Sequence, residues 1–397
     1  MRNFVKFVMF LVFSLLIAGA AVVLKPDKAE AIPAFARKYK MSCTTCHAPI
    51  PRIKEYGDEF AGNGFVLKDQ DAPRYYVETG DENLDLIRDF PFAVRFDGFI
   101  KHQTETGRNL DLTTPYNIKL LSGGSLTKNV AYYFYFFFSE RGEVAGLEDA
   151  FIMFNDLFDS ELDIYVGQFQ VSDPLFKREL RLTYDDYQIY RFKPGESNIN
   201  LTYDRGIMAT FATADGTDLI FEIVNGNGLA EAGDFRTYDN DKYKNLVGRV
   251  SRGFGDYVRL GAFGYYGKEA NDAGRKNEVW MLAPDMTYSP SDKLELNVQY
   301  VERRDDNPSF LSPSPDDKIA TRGGFAELIY LPEGERSRWY AAGLYNQVDS
   351  DYDAQDYQSI TAHIGYLMRT NIRLIAETTY DIENEENRIV VGFIAAY

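Results

Sequence analysis

The sequence predicts an all-β fold class: a transmembrane antiparallel β-barrel of about 16 strands, preceded by a small α-helical N-terminal domain. Three observations predict it. Segment after segment alternates apolar and polar side chains in strict period two. The connections between these segments are alternately short and long, the layout of bacterial barrels. The chain is also rich in aromatics, with 28 Tyr and 29 Phe in 397 residues, yet its mean hydropathy is only -0.34. Such a balance suits a protein whose apolar face alternates with a polar one.

The chain opens with an address. Arg2 and Lys6 form a basic start, residues 7–24 are an apolar run, and Ala29-Glu30-Ala31 offers small residues at the two positions that a signal peptidase reads. A signal peptide over 1–31 is expected; an uncleaved membrane anchor is the alternative reading of the same run.

The segment expected as the second domain spans 32–75 and differs in character. It contains the only two cysteines of the chain, in MSCTTCHAPIP. Pro49 and Pro51 follow, and then Ile50, Ile53, Tyr56 or Gly57, and Phe60 recur at helical spacing and predict one apolar stripe. Gly62 and Gly64 stand where that helix would stop. Residues 76–89 read as a polar, acidic connector.

Strands are expected near 90–102, 115–122, 129–139, 148–155, 161–170, 198–213, 218–225, 244–252, 256–266, 277–288, 293–302, 319–330, 336–347, 357–368, 371–381 and 388–397. KLELNVQYVE shows the pattern: Leu294, Leu296, Val298 and Tyr300 on one face, Glu295, Asn297 and Gln299 on the other. The final strand places Ile389, Val391, Phe393, Ala395 and Tyr397 on one face, and its terminal aromatic is similar to the C-terminal signal of bacterial outer-membrane barrels. Links after even strands are short, and those at 171–197, 226–243, 303–318 and 348–356 are long. An even strand count puts both ends of the barrel on the short-turn, periplasmic side. A soluble β-sandwich is the competing fold, and the bilayer-matched strand lengths disfavour it.

Cys43-Thr44-Thr45-Cys46-His47 carries the chemistry. In an exported chain, Cys-x-x-Cys-His is the haem c attachment pattern. Two thiols at that spacing reach the two vinyl groups, and the adjacent imidazole lies under the iron. The pattern therefore predicts one covalently bound haem c held by Cys43 and Cys46, with His47 as axial ligand. A disulfide between the cysteines and a metal site are the alternatives, although zinc wants four ligands from a chain with two Cys and three His. His363 has lumen parity in SITAHIGYL and is the candidate second axial ligand; Met153, Met208 and Met281 are others.

The segment PAFARKYKMSCTTCHAPIPRIKEYGDEFAGNGF resembles the N-terminal signature of the fused outer-membrane cytochrome c–porin family of iron(II)-oxidising bacteria. LEDAFIMF and LDIYVGQFQVSDPLF are similar to a hairpin of phosphate-selective porins. The resemblance implies an outer-membrane protein with its haem domain on the periplasmic side or within the lumen. It implies a one-electron path from an extracellular donor such as Fe(II) to a periplasmic cytochrome or other carrier, and with it an extracellular Fe(II) oxidase activity.

The net charge of -17 argues against nucleic acid and favours cations. Acidic runs at 349–356 and 383–386 would concentrate cations, and they also read as ordinary solvated loops. Two alternatives stay open. One is a solute porin whose haem or disulfide only pins its N-terminal plug. The other is an open-iron haem sensor or peroxidase-like enzyme, for which Arg37 and Arg52 are the nearby distal candidates.

Overall fold

Sixteen strands close on themselves in the order of the chain. The computed structural model describes residues 34–67, 80–84, 90–104, 110–172, 176–229, 232, 236–314, 318–352 and 355–397. The expected signal peptide and most of the 76–89 connector lie outside the described residues. The strands are β1 Phe92–Gln103, β2 Asp111–Thr127, β3 Val130–Glu140, β4 Gly146–Phe154, β5 Leu162–Gln170, β6 Tyr203–Ala212, β7 Thr217–Val224 and β8 Asn245–Phe254. They continue as β9 Val258–Ala270, β10 Lys276–Ser291, β11 Leu294–Asp305, β12 Ile319–Tyr330, β13 Trp339–Ser350, β14 Tyr357–Arg369, β15 Ile372–Asp381 and β16 Glu386–Ala396. Every neighbour pair is antiparallel, and β1 meets β16 from Arg95↔Ala396 to Gln103↔Arg388, so the sheet has no edge. Closure satisfies every ladder without water, which a hydrocarbon surround demands.

The period-two pattern explains which face is which. Leu282, Tyr300, Leu328, Ile360 and Ile364 point outward and are exposed, while Asp285, Asn297, Gln299, Glu327 and His363 of the same strands are buried in the lumen. An exterior of exposed apolar side chains has no rationale in water and fits a lipid surround. All 16 expected strands are present. The largest departure is β2, which extends four residues before and five beyond the expected 115–122; β6 starts at Tyr203 rather than 198, because residues 176–202 fold inward. β13 is displaced by three residues at each end from the expected 336–347.

The N-terminal segment forms helix α1, Ala34–Tyr39, a single 3-10 turn at Cys43–Thr45, and helix α2, Glu55–Gly62. The helical stripe expected from Ile50 onward is therefore too long. Pro49 and Pro51 lack the backbone N–H groups that a helix needs, and residues 47–53 make a loop closed by a bridge between His47 and Ile53. Gly62 ends α2, and Gly64 follows at φ +61°.

Candidate functional site

Residues 34–67 sit in the mouth of the barrel at its short-turn end. Their contacts are with Phe92 at the start of β1, Asn155 in the β4–β5 turn, Glu295 at the start of β11, Glu335 in the β12–β13 connection, and Arg373 at the start of β15. Two kinds of contact hold the segment there. On one side Phe35 stacks on Phe65 at 4.8 Å and Phe65 on Tyr133 of the wall at 5.7 Å, and Phe60, Ala131 and Met153 complete the same apolar cluster. On the other side Arg52 is clamped by Glu295 and by Glu327 at 3.0 Å, and Lys54 pairs with Glu335 at 2.7 Å. Burial alone would lower the Arg52 pKa, but the two facing carboxylates outweigh it and raise it, so this cation is permanent.

The motif is built for presentation. His47 N–H and Cys46 N–H both bond the Cys43 carbonyl, at 3.0 and 3.2 Å, so both thiols and the imidazole leave one tight turn. Neither cysteine is in a disulfide, and both are half-buried. His47 Nδ1 lies 2.8 Å from the Pro51 carbonyl and 3.2 Å from that of Arg52. A carbonyl can only accept, so Nδ1 carries the proton and Nε2 is left as the bare nitrogen, the arrangement of a metal-ligating histidine. Burial also lowers the His47 pKa, which favours the neutral, ligating imidazole. Burial raises both cysteine pKa values. Reactive dithiols are the opposite, with depressed pKa values, so the disulfide-exchange reading loses ground. Gly57 of α2 lies against this turn: a Cβ there would sit 2.5 Å from the Cys46 carbonyl oxygen. Two thiols, a bare Nε2 and the Pro51 and Arg52 carbonyls that hold Nδ1 are a donor set that fits a haem c.

His363 faces the lumen as expected and is 1% exposed. Its Nδ1 meets Glu377 at 2.9 Å and its Nε2 meets Tyr340 Oη at 3.2 Å. Arg373 donates to Tyr340 Oη at 3.0 Å and to the Ile50 carbonyl at 3.1 Å. His363 is thus tied to the plug three residues from His47, but both of its nitrogens have partners. To ligate iron it would have to give up Tyr340. Met153 packs in the plug's aromatic cluster, whereas Met208 and Met281 lie in the larger lumen core. Of the distal candidates, Arg52 is clamped and Arg37 reaches the Phe92 carbonyl at 3.4 Å.

The second element of the lumen was not legible as such. Residues 171–197 read as a link and 198–202 as the start of a strand, but residues 176–202 cross the interior and include a short helix α3, Gln188–Arg191. Glu377 accepts the backbone N–H of Tyr184 at 2.6 Å and of Asp185 at 3.0 Å. Asn346 and Arg388 hold the Asp185 carboxylate at 3.1 and 2.9 Å. Asp186 is enclosed by Arg178, Arg181 and Arg191, and despite burial these guanidiniums lower its pKa. The only warning was length: connections beyond about 12–15 residues are uncommon and usually functional.

Solved structures with the same architecture are outer-membrane channels. The trimer form of OmpT from Vibrio cholerae superposes with a TM-score of 0.55 at 11% identity, covering 78% of this chain and 99% of that one. The anion-selective porin from Comamonas acidovorans gives 0.56 at 10% identity over the same shares. The outer membrane channel DcaP of Acinetobacter baumannii gives 0.54 at 13%, over 78% and 97%. The barrel has a porin fold. At these identities the likeness covers architecture and nothing finer. No family model matches the chain, and no curated protein does.

Proposed function

We propose that this chain is an outer-membrane cytochrome–porin, which passes electrons between the exterior and the periplasm with the help of one covalently attached haem c. The observation that carries the reading is His47: its Nδ1 is fixed on the Pro51 carbonyl and its Nε2 is bare, beside two unlinked cysteines on one turn inside a barrel mouth. Bound there, haem c supplies a one-electron redox centre. The protein's own part is positional. Cys43 and Cys46 attach the porphyrin, His47 offers an imidazole, and Arg52, Lys54 and Arg373 lock the turn to the wall. The aromatic cluster around Phe60 and Phe65 seals one side of the mouth against water. With the short turns periplasmic, the plug faces the periplasmic carrier, and the outer loops face a donor such as Fe(II).

A pyridine haemochrome spectrum of protein purified from outer membranes tests the first half, and anaerobic Fe(II) added to intact cells tests the second. A c-type spectrum reduced from outside supports the conduit. A c-type spectrum that Fe(II) leaves oxidised rejects iron as donor. Absence of haem overturns the reading.

A second reading, a solute porin with a pinned plug, is favoured by the fold and by the arginine-bearing loop 176–202. Single-channel conductance separates the two: a solute porin conducts as the intact chain, whereas an electron conduit closed at the plug and the loop conducts little.

A further inference from the structure

At the long-loop end of the barrel, three ammonium groups converge on one ring, against the chain's net charge of -17. Lys242 in the β7–β8 loop, Lys268 near the end of β9 and Lys276 at the start of β10 place their Nζ atoms 5.5, 5.7 and 5.8 Å from the centre of the Tyr243 ring. An aromatic face attracts a cation, but like charges gathered round one ring repel one another. Of the three, and among the described residues, only Lys268 forms an ion pair, with Glu278 at 2.7 Å. Lys242 and Lys276 are exposed. The Asp241 carboxylate nearby accepts the N–H groups of Tyr243 and Ala270, at 2.6 and 2.8 Å. The flanking cations are paired: Lys244 with Asp239 and Lys318 with Asp306.

Strand parity puts Lys268 and Lys276 on the lipid-facing exterior and not in the lumen. Lys268 and Glu278 are register partners, and the next outward pair towards the membrane is Tyr266 with Trp280. Tyr266, Trp280 and, one outward step further along β10, Leu282 are all exposed. The order from the outer end inward along the wall is therefore cation, aromatic, aliphatic. Trp and Tyr mark the level at which a bilayer meets water, so the ammonium groups stand at headgroup height above them. On β14 and β15 the outward side chains at the same end are Gln358, Tyr380 and Ile382, with no cation among them. The basic patch thus belongs to one side of the barrel.

We propose that this patch binds a lipid-borne phosphate, that of the phosphorylated glycolipid of the outer leaflet (lipid A). Lys242, Lys268 and Lys276 surround the phosphate, and Tyr266, Trp280 and Leu282 lie along the acyl chains. Three ammonium groups and the Glu278 carboxylate leave two positive charges, and a phosphate monoester carries about two negative ones at pH 7. Lysine serves phosphate as a point charge that does not demand one geometry. Its apolar stem runs along an apolar wall while its head stays in the polar layer. Basic clusters at headgroup level are where anionic lipids are held. The site rests on the long loops facing outward and is independent of haem attachment.

The test uses the full-length protein, stripped of lipid in detergent and read by native mass spectrometry for bound lipid. Diphosphorylated lipid A is titrated beside its dephosphorylated form, phosphatidylglycerol and inorganic phosphate. One lipid A per chain is expected, with the dephosphorylated form and phosphatidylglycerol at least tenfold weaker and inorganic phosphate unable to displace it. Lys242→Gln, Lys268→Gln and Lys276→Gln together weaken binding at least tenfold, while Lys242→Arg, Lys268→Arg and Lys276→Arg together keep it. Lys128→Gln with Arg336→Gln, at the short-turn end, leaves it unchanged. Heat-modified gel mobility confirms a folded barrel in every variant. Equal binding of the dephosphorylated lipid, or undiminished binding by the triple Gln variant, overturns the proposal. Displacement by inorganic phosphate makes this a site for free anions, and equal binding of phosphatidylglycerol makes it one for any anionic lipid; either result overturns the assignment.

Discussion

The lumen is obstructed twice, and the two obstructions are held differently. The inward loop 176–202 is part of the wall's own hydrogen-bond network. Its backbone N–H groups and carboxylates are met by Glu377, Asn346, Ser359 and Arg388 from four strands. The plug 34–67 touches the wall through one aromatic cluster and a few ion pairs, and most of its backbone bonds are internal. Chain connectivity does not explain the contrast, since each segment joins the barrel covalently. The network does. The loop leaves only by unpairing several buried charges, whereas the plug's departure unpairs one, Glu327 from Arg52, besides its rim contacts. The more weakly held element is the one that carries the cysteines, and on the proposed reading it takes up its haem before it docks.

That contrast can be broken in several ways. The largest effect is expected from Cys43→Ser with Cys46→Ser: complete loss of c-type absorbance, with the barrel still resistant to SDS at room temperature. Loss of the folded barrel instead would mean that the plug is not separable. Next is Asp186→Ala. It leaves three arginines facing one another in a buried site, where removing one partner of an ion pair costs about 3–5 kcal/mol. The thermal midpoint of the barrel falls and proteases cut within 176–202. Lys54→Ala is expected to expose the plug to protease while leaving the barrel's own midpoint nearly unchanged, because it cuts only the pair with the half-exposed Glu335. If both fall together, the two regions form one unit.

Smaller effects sharpen the picture. Gly57→Ala forces a methyl against the Cys46 carbonyl and should lower haem occupancy, measured as the ratio of haem absorbance to protein. His363→Gln should leave the visible haem spectrum unchanged, because both of its nitrogens are engaged with protein. A change of spin state would instead make it an iron ligand. Acid offers the mildest probe. Burial raises the Glu179 pKa, but Lys119, Arg95 and Arg181 outweigh it and hold it at about 2. A lowered carboxylate stabilises above its unfolded value and loses that contribution as pH falls through its folded one. Loop protection against hydrogen exchange should therefore persist above about pH 4.5 and fade towards pH 2, and Glu179→Gln should remove that step.

Period-two alternation determined the barrel, because a lipid-facing side chain and a lumen-facing one must alternate along every strand. It also placed His363 inside and ordered the short and long connections. The cysteine spacing and the neighbouring histidine named the chemistry of the turn without any fold. The rest needed tertiary structure. Whether residues 176–202 hang outside or cross the lumen depends on Glu377 and Asn346, which lie over 150 residues away. The bare Nε2 of His47 depends on where the Pro51 carbonyl points, and the clamp on Arg52 on two strands that the front segment never predicts. Alternation is a local property that sterics and burial impose residue by residue. Ion pairs and pockets are set by which distant backbone positions are brought together, and that information exists only once the sheet has closed.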